Sequence, residues 1–88
     1  MKHVIKRNSK TQAYDSQKVR ASIYASCLSV HVKAFEAQEV ADKVTAEVEK
    51  WLAQKTEVTT NDIRHQAGHY LSELEPHAGY FYLHHRVI

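Results

Sequence analysis

Three features of the sequence predict a mostly helical α+β fold. It opens on a hairpin pattern, it continues with three apolar stripes at helical spacing, and Glu75-Pro76 then marks off a fourth helix. At 88 residues it is read as one domain, 1–88, with room for one core. A hydrophobic content of 43% with 25% charged residues is ordinary for a globular protein and argues against a disordered chain.

The hairpin rests on Val4-Ile5, whose β-branched side chains suit a pleated, half-buried surface. Asn8-Ser9 is a turn signal, because Asn tolerates left-handed backbone angles and both side chains can bond local backbone. Gln12-Ala13-Tyr14 then returns. Asp15 is placed to accept from the free N–H groups of a first helix, and Tyr14 and Val19 stand where a hydrophobic staple would. Val19, Ile23, Cys27 and Val30 recur on one face, flanked by Tyr24 and Leu28. His31-Val32-Lys33 is expected to break the helix.

A second helix is predicted from about Ala34 to Lys55. Val40, Val44, Val48, Trp51 and Leu52 form its inward stripe; Glu36, Glu39, Asp42, Lys43, Glu47 and Lys50 form its wet side. Thr59 is expected to cap a third helix, with Asp62 completing a capping box and Val58 and Ile63 a second staple. Its buried stripe is Ile63, Ala67, Tyr70, Leu71 and Leu74. The residue before proline avoids the helical region, so the third helix stops at Glu75, and Pro76 suits the first turn of the fourth. Tyr80, Phe81 and Tyr82 are consecutive on that helix, so they cannot all face one core, and at least one is expected to be exposed or covered by a neighbour.

The charge is local. Basic residues crowd between Lys2 and Arg20, acidic ones between Glu36 and Glu49, and the net charge is only +2. Lys6, Arg7 and Lys10 fall at or near the hairpin end, and Lys18 in the first turn of the first helix. Such a group is either a solvated surface or an anion site, since helix starts add free N–H groups and partial positive charge. Thr60 and Arg64 stand one turn apart at the start of the third helix, which is either a capped helix with an exposed Arg or the border of a ligand. His65 and His69, at i and i+4, lack a third ligand at matching spacing and give little support for zinc. His84-His85-Arg86 can close a phosphate site or end its helix favourably against the dipole. A lone Cys27 excludes an internal disulfide and is read as a small buried hydrophobe. No nucleophile–base set, glycine-rich phosphate loop or paired acidic metal site is present, so no catalytic residue is assigned. No stretch suits a signal peptide or a membrane span, and a cytoplasmic protein is expected.

Val4-x-Lys6-Arg7-Asn8 followed by Asp15-x-x-Lys18-Val19 resembles the opening of the ATP-cone family. The likeness continues through Glu57–Ile63 and Tyr80–Arg86 and covers essentially the whole chain. That family is the nucleotide-sensing regulatory module of ribonucleotide reductases and of their zinc-ribbon transcriptional repressor. The resemblance implies four helices in a bundle, lidded by a small three-stranded sheet made of the hairpin and a short strand at Glu57-Val58-Thr59. It implies a non-catalytic domain holding ATP or dATP as effector, with or without magnesium. Val4 and Ile5 would lie at the base or sugar, Lys6 and Arg7 on phosphates, and Gln12 and Asp15 near the sugar. Lys18, Thr60 and Arg64 complete the implied site, although Asp15 is more simply a helix cap.

The implied partner is a ribonucleotide reductase chain or a related regulated protein; from the residues themselves, self-association is expected, with the fourth helix and Trp51 contributing. Such a domain either acts in trans or is cut from a longer chain, and the apolar end at Arg86-Val87-Ile88 fits the second better. The sequence departs from the family at Ser9, where Gly is usual. That favours an alternative: an interaction module without nucleotide affinity. Direct nucleic-acid binding is not expected, given the small net charge and the acidic second helix.

Overall fold

The computed structural model describes residues 3–5 and 11–85, with side chains from residue 13 onward. The elements run β1 (His3–Ile5), β2 (Thr11–Ala13), α1 (Ser16–Ser29), α2 (Ala34–Leu52), β3 (Val58–Thr59), α3 (Thr60–Leu74) and α4 (Pro76–His84). The mostly helical α+β class holds, with four helices. β1 pairs antiparallel with β2, with His3 opposite Ala13, Val4 opposite Gln12 and Ile5 opposite Thr11. On its other side β1 runs parallel to β3, with Val4 opposite Val58 and Ile5 opposite Thr59.

The helix starts follow local chemistry. Asp15 accepts from the Gln17 N–H at 3.0 Å, which satisfies one of the donors that a helix start leaves open. Thr59 Oγ1 accepts from the Asp62 N–H at 3.0 Å while Asp62 Oδ2 accepts from the Thr59 N–H at 3.0 Å, a complete capping box. Glu75 ends α3 and begins α4 in one extended residue, with Pro76 in the first turn.

The helix ends differ from one another. α1 closes in a Schellman motif: the His31 N–H donates to the Leu28 carbonyl and the Val32 N–H to that of Cys27, both at 3.0 Å. His31 takes the left-handed position at φ 69°. α2 stops at Leu52, three residues before the expected Lys55. There the N–H groups of Gln54 and Lys55 bond three residues back, to Trp51 and Leu52, and the tighter turn ends the α-helix.

The core gathers Ile23 and Cys27 from α1, Ala37, Ala41, Val44, Val48 and Leu52 from α2, Val58 from β3, Ile63, Ala67 and Leu71 from α3, and Ala78 and Tyr82 from α4. Two expected core positions lie outside it: Leu28 is 41% exposed and Leu74 is 45% exposed. α1 instead turns Ser22 and Ser26 inward. Small serines let the helix approach closely, and Ser22 Oγ returns its proton to the Val19 carbonyl at 2.8 Å. The hydroxyls of Ser26 and Thr45 are buried with no hydrogen-bond partner among the described residues, which costs about 1–3 kcal/mol each. Among the described residues no helix is long and apolar enough to cross a membrane.

Candidate functional site

The strand register decides which helix start lies beside the basic hairpin loop. Residues 6–10 join Ile5 to Thr11, and Ile5 pairs in parallel with Thr59, the cap of α3. β1 therefore runs toward the end of the ladder at which α3 begins. Asp15 and Lys18 follow Ala13, which pairs with His3 at the other end of the ladder. The structure thus brings Val4, Ile5 and Gln12 together in backbone and sets Thr60 next to them, with Arg64 one turn further on. It does not place Asp15 and Lys18 at that end. Lys6, Arg7, Ser9 and Lys10 lie outside the described residues, as do Arg86, Val87 and Ile88.

At the start of α3 the capping box consumes the N–H groups of Thr59 and Asp62, and the helix dipole leaves a positive partial charge. Thr60 and Asn61 are exposed there, with the Asp62 carboxylate alongside. At the start of α1, Asp15 is an exposed cap and Lys18 is exposed. Arg20 is tied across to α2, with Nε 2.9 Å from Asp42 Oδ1.

Arg64 is not a free surface cation. Its Nη2 donates to the carbonyls of Tyr82 at 2.6 Å, His85 at 3.2 Å and Leu83 at 3.3 Å. Its guanidinium carbon also lies 5.3 Å from the centre of the Tyr82 ring. The sequence offered no sign of this role, because the acceptors are backbone atoms some 18–21 positions away. His84 and His85 serve their own helix. Each lies with Nδ1 within reach of the carbonyl four residues back, Tyr80 at 2.8 Å and Phe81 at 3.2 Å, so each Nδ1 carries the proton. Their rings stack on Tyr80 and Phe81, with centroids 4.0 and 4.3 Å apart.

The three consecutive aromatics separate as the helical angle requires. Tyr82 is buried, Phe81 is half-buried and Tyr80 is exposed. Burial raises the Tyr82 phenol above its ordinary range, partly offset by a hydrogen bond with the Ser22 side chain and by the charge of Arg64. Tyr14 is likewise raised, first by burial and then by the Glu49 carboxylate that its hydroxyl donates to at 3.4 Å. Burial pushes the Cys27 thiol up to about 11. All three groups therefore hold their protons at neutral pH, and a protonated buried thiol is a poor nucleophile. Among the described residues no group of three or more His, Cys, Asp or Glu could hold a metal ion.

The ATP cone domain family matches residues 2–87, nearly the whole chain. Neither a curated protein nor a solved structure matches it.

Proposed function

The chain belongs to the ATP cone domain family, and from that membership we propose that it is a non-catalytic regulatory module that binds ATP or dATP and passes nucleotide state to a partner. The observation that carries this reading is the family match over residues 2–87. The parallel pairing of Ile5 with Thr59 supports a site at the start of α3, since it sets a helix start beside the exit to the basic loop. Lys6 and Arg7 take the phosphates, Arg as a planar fork and Lys as a point charge. Val4, Ile5 and Gln12 line the base and sugar side, and Thr60 borders the adenine edge. Asp15 and Lys18 belong to the start of α1, at the other end of the ladder, where Asp15 serves as the cap, and they stand outside the site so placed. The nucleotide is an effector, held with or without magnesium. The regulated partner is a ribonucleotide reductase chain or a related protein, reached through a change in this domain's surface or in its self-association.

A panel of thermal melts with ATP, dATP, GTP and ADP, each with and without magnesium, tests the reading. Ligand at a hundredfold its Kd adds about 2.7 kcal/mol, and each kcal/mol moves the melt of a domain this size by about 4–8 °C. Lys6→Ala or Arg7→Ala is expected to weaken ATP binding about tenfold to a hundredfold by calorimetry, one charge-assisted hydrogen bond's worth. Lys2→Ala is the control, with the same charge lost outside the motif. Flat melts with millimolar ATP and dATP alike would replace this reading with the interaction-module one. That alternative starts from Ser9 in place of the family's Gly and from the aromatics Trp51, Tyr80, Phe81 and Tyr82, of which Tyr80 is 63% exposed.

A further inference from the structure

An α-helix leaves its last four carbonyls without intrahelical donors, and its C-terminus carries partial negative charge. α1 meets this need with its own backbone, in the turn at His31. α4 does not. Its closing residue, His85, is extended at φ −129° and ψ 131°, and its backbone N–H reaches only the Phe81 carbonyl. The carbonyls of Tyr82 and Leu83, and that of His85 just beyond, are met instead by the guanidinium of Arg64 from α3. α4 has only nine residues, too few to persist by its own propensity. Its end depends on a side chain from another helix.

Arg64 also stands one turn from Thr60 at the helix start to which the proposed function assigns the nucleotide. We infer that Arg64 is a latch between that site and the end of α4. Without ligand its guanidinium holds the last turn of α4. A bound triphosphate offers the same group full negative charge in place of neutral carbonyls, draws it away and loosens the turn. The last turn of α4, up to His85, is then the moving part that reports occupancy. This inference rests on the proposed nucleotide site, and adds a mechanism of transmission to it.

Hydrogen–deuterium exchange on the full chain tests it, read on the amides of residues 78–85 with those of α2 as internal reference. Without nucleotide, Arg64→Ala is expected to exchange at least tenfold faster than the unaltered chain at the end of α4, with α2 unchanged. Arg64→Lys keeps the charge without the planar face over Tyr82; it is expected to exchange at least threefold faster, and it carries the test if the alanine variant does not fold. Saturating ATP on the unaltered chain is expected to raise exchange in the same segment and to leave it unchanged in Arg64→Ala. Unaltered protection in both variants would overturn the latch. A clear melt shift with ATP but no faster exchange at residues 78–85 would overturn the coupling and leave the nucleotide reading standing. No melt shift with any nucleotide would remove both, while the exchange of the variants alone would still decide what Arg64 does for α4.

Discussion

The two helical hairpins of this domain are held together in different ways. α1 and α2 meet through side chains, are joined by the four residues 30–33, and are tied at the surface by Arg20 and Asp42. α3 and α4 meet almost backbone to backbone and are joined by Glu75 alone. A Cβ on Gly79 would lie 2.6 Å from Ser72 Cα, and one on Gly68 would lie 2.6 Å from Leu83 Cγ. Side-chain interfaces can repack around a change, whereas a backbone contact has nothing to move but the helix itself. In the second hairpin a small shift at α3 must therefore be felt by α4, with no side chain between Gly79 and the Ser72 backbone to absorb it.

The largest expected effect comes from filling the close contact. Gly79→Ala forces α3 and α4 apart, at about 1–3 kcal/mol of overpacking. Alanine's better helix propensity returns up to about 1 kcal/mol of that. Because the added Cβ meets backbone rather than a movable side chain, the overpacking cost lies at the upper end of its range, and a net loss of about 2 kcal/mol and a melting drop of about 8–16 °C are expected. Gly68→Ala should cost less, because the end of the Leu83 side chain can turn aside. If Gly79→Ala melts as the unaltered chain does, the two hairpins do not differ as described.

A middle-sized effect of opposite sign is expected in the first hairpin. His31 holds a left-handed backbone angle that costs a side-chain-bearing residue about 1–2 kcal/mol. Glycine adopts it freely but gains entropy in the unfolded chain, so His31→Gly should stabilise by about 0.5–1 kcal/mol. Denaturant titration, with the slope unchanged, is the measurement; a destabilised variant would mean that the imidazole contributes a contact. The smallest effect is expected at the surface tie. The Arg20 and Asp42 side chains are 35% and 55% exposed, so a double-mutant cycle with Arg20→Ala and Asp42→Ala should give a coupling of at most about 1 kcal/mol, falling with salt.

What could be read in the sequence was what depends on neighbours in the chain. The caps at Asp15 and Thr59, the box with Asp62 and the break at Glu75-Pro76 all use side chains within three residues of the backbone they serve. The end of α2 carried no glycine or proline to mark it, and its tightened last turn has no residue signature. The buried face of α1 was misplaced at Leu28, because Ser22 and Ser26 are polar by type yet small enough to go inside. Gly68 and Gly79 went unread, because what a glycine packs against is set by another part of the chain, Leu83 in the one case and Ser72 in the other. For the site, spacing alone paired Thr60 with Arg64, while the commitment of Arg64 to α4 needed the fold. Asp15 and Lys18 seemed near the basic loop because they are near it in sequence; the ladder sends them to its opposite end.

The single-residue joint at Glu75 has a mechanical consequence. With φ −142° and ψ 90° as its only soft torsions, and the φ of Pro76 fixed by its ring, α4 can move only by turning about one pivot. At 1.5 Å per residue its far end stands about 13 Å from that pivot. A rotation of about 10° there sweeps His84 through about 2 Å, enough to break a hydrogen bond, while Pro76 hardly moves. Under the inferred latch the helix is a lever hinged at Glu75 and clamped by Arg64 at its far end, where release gives the largest displacement.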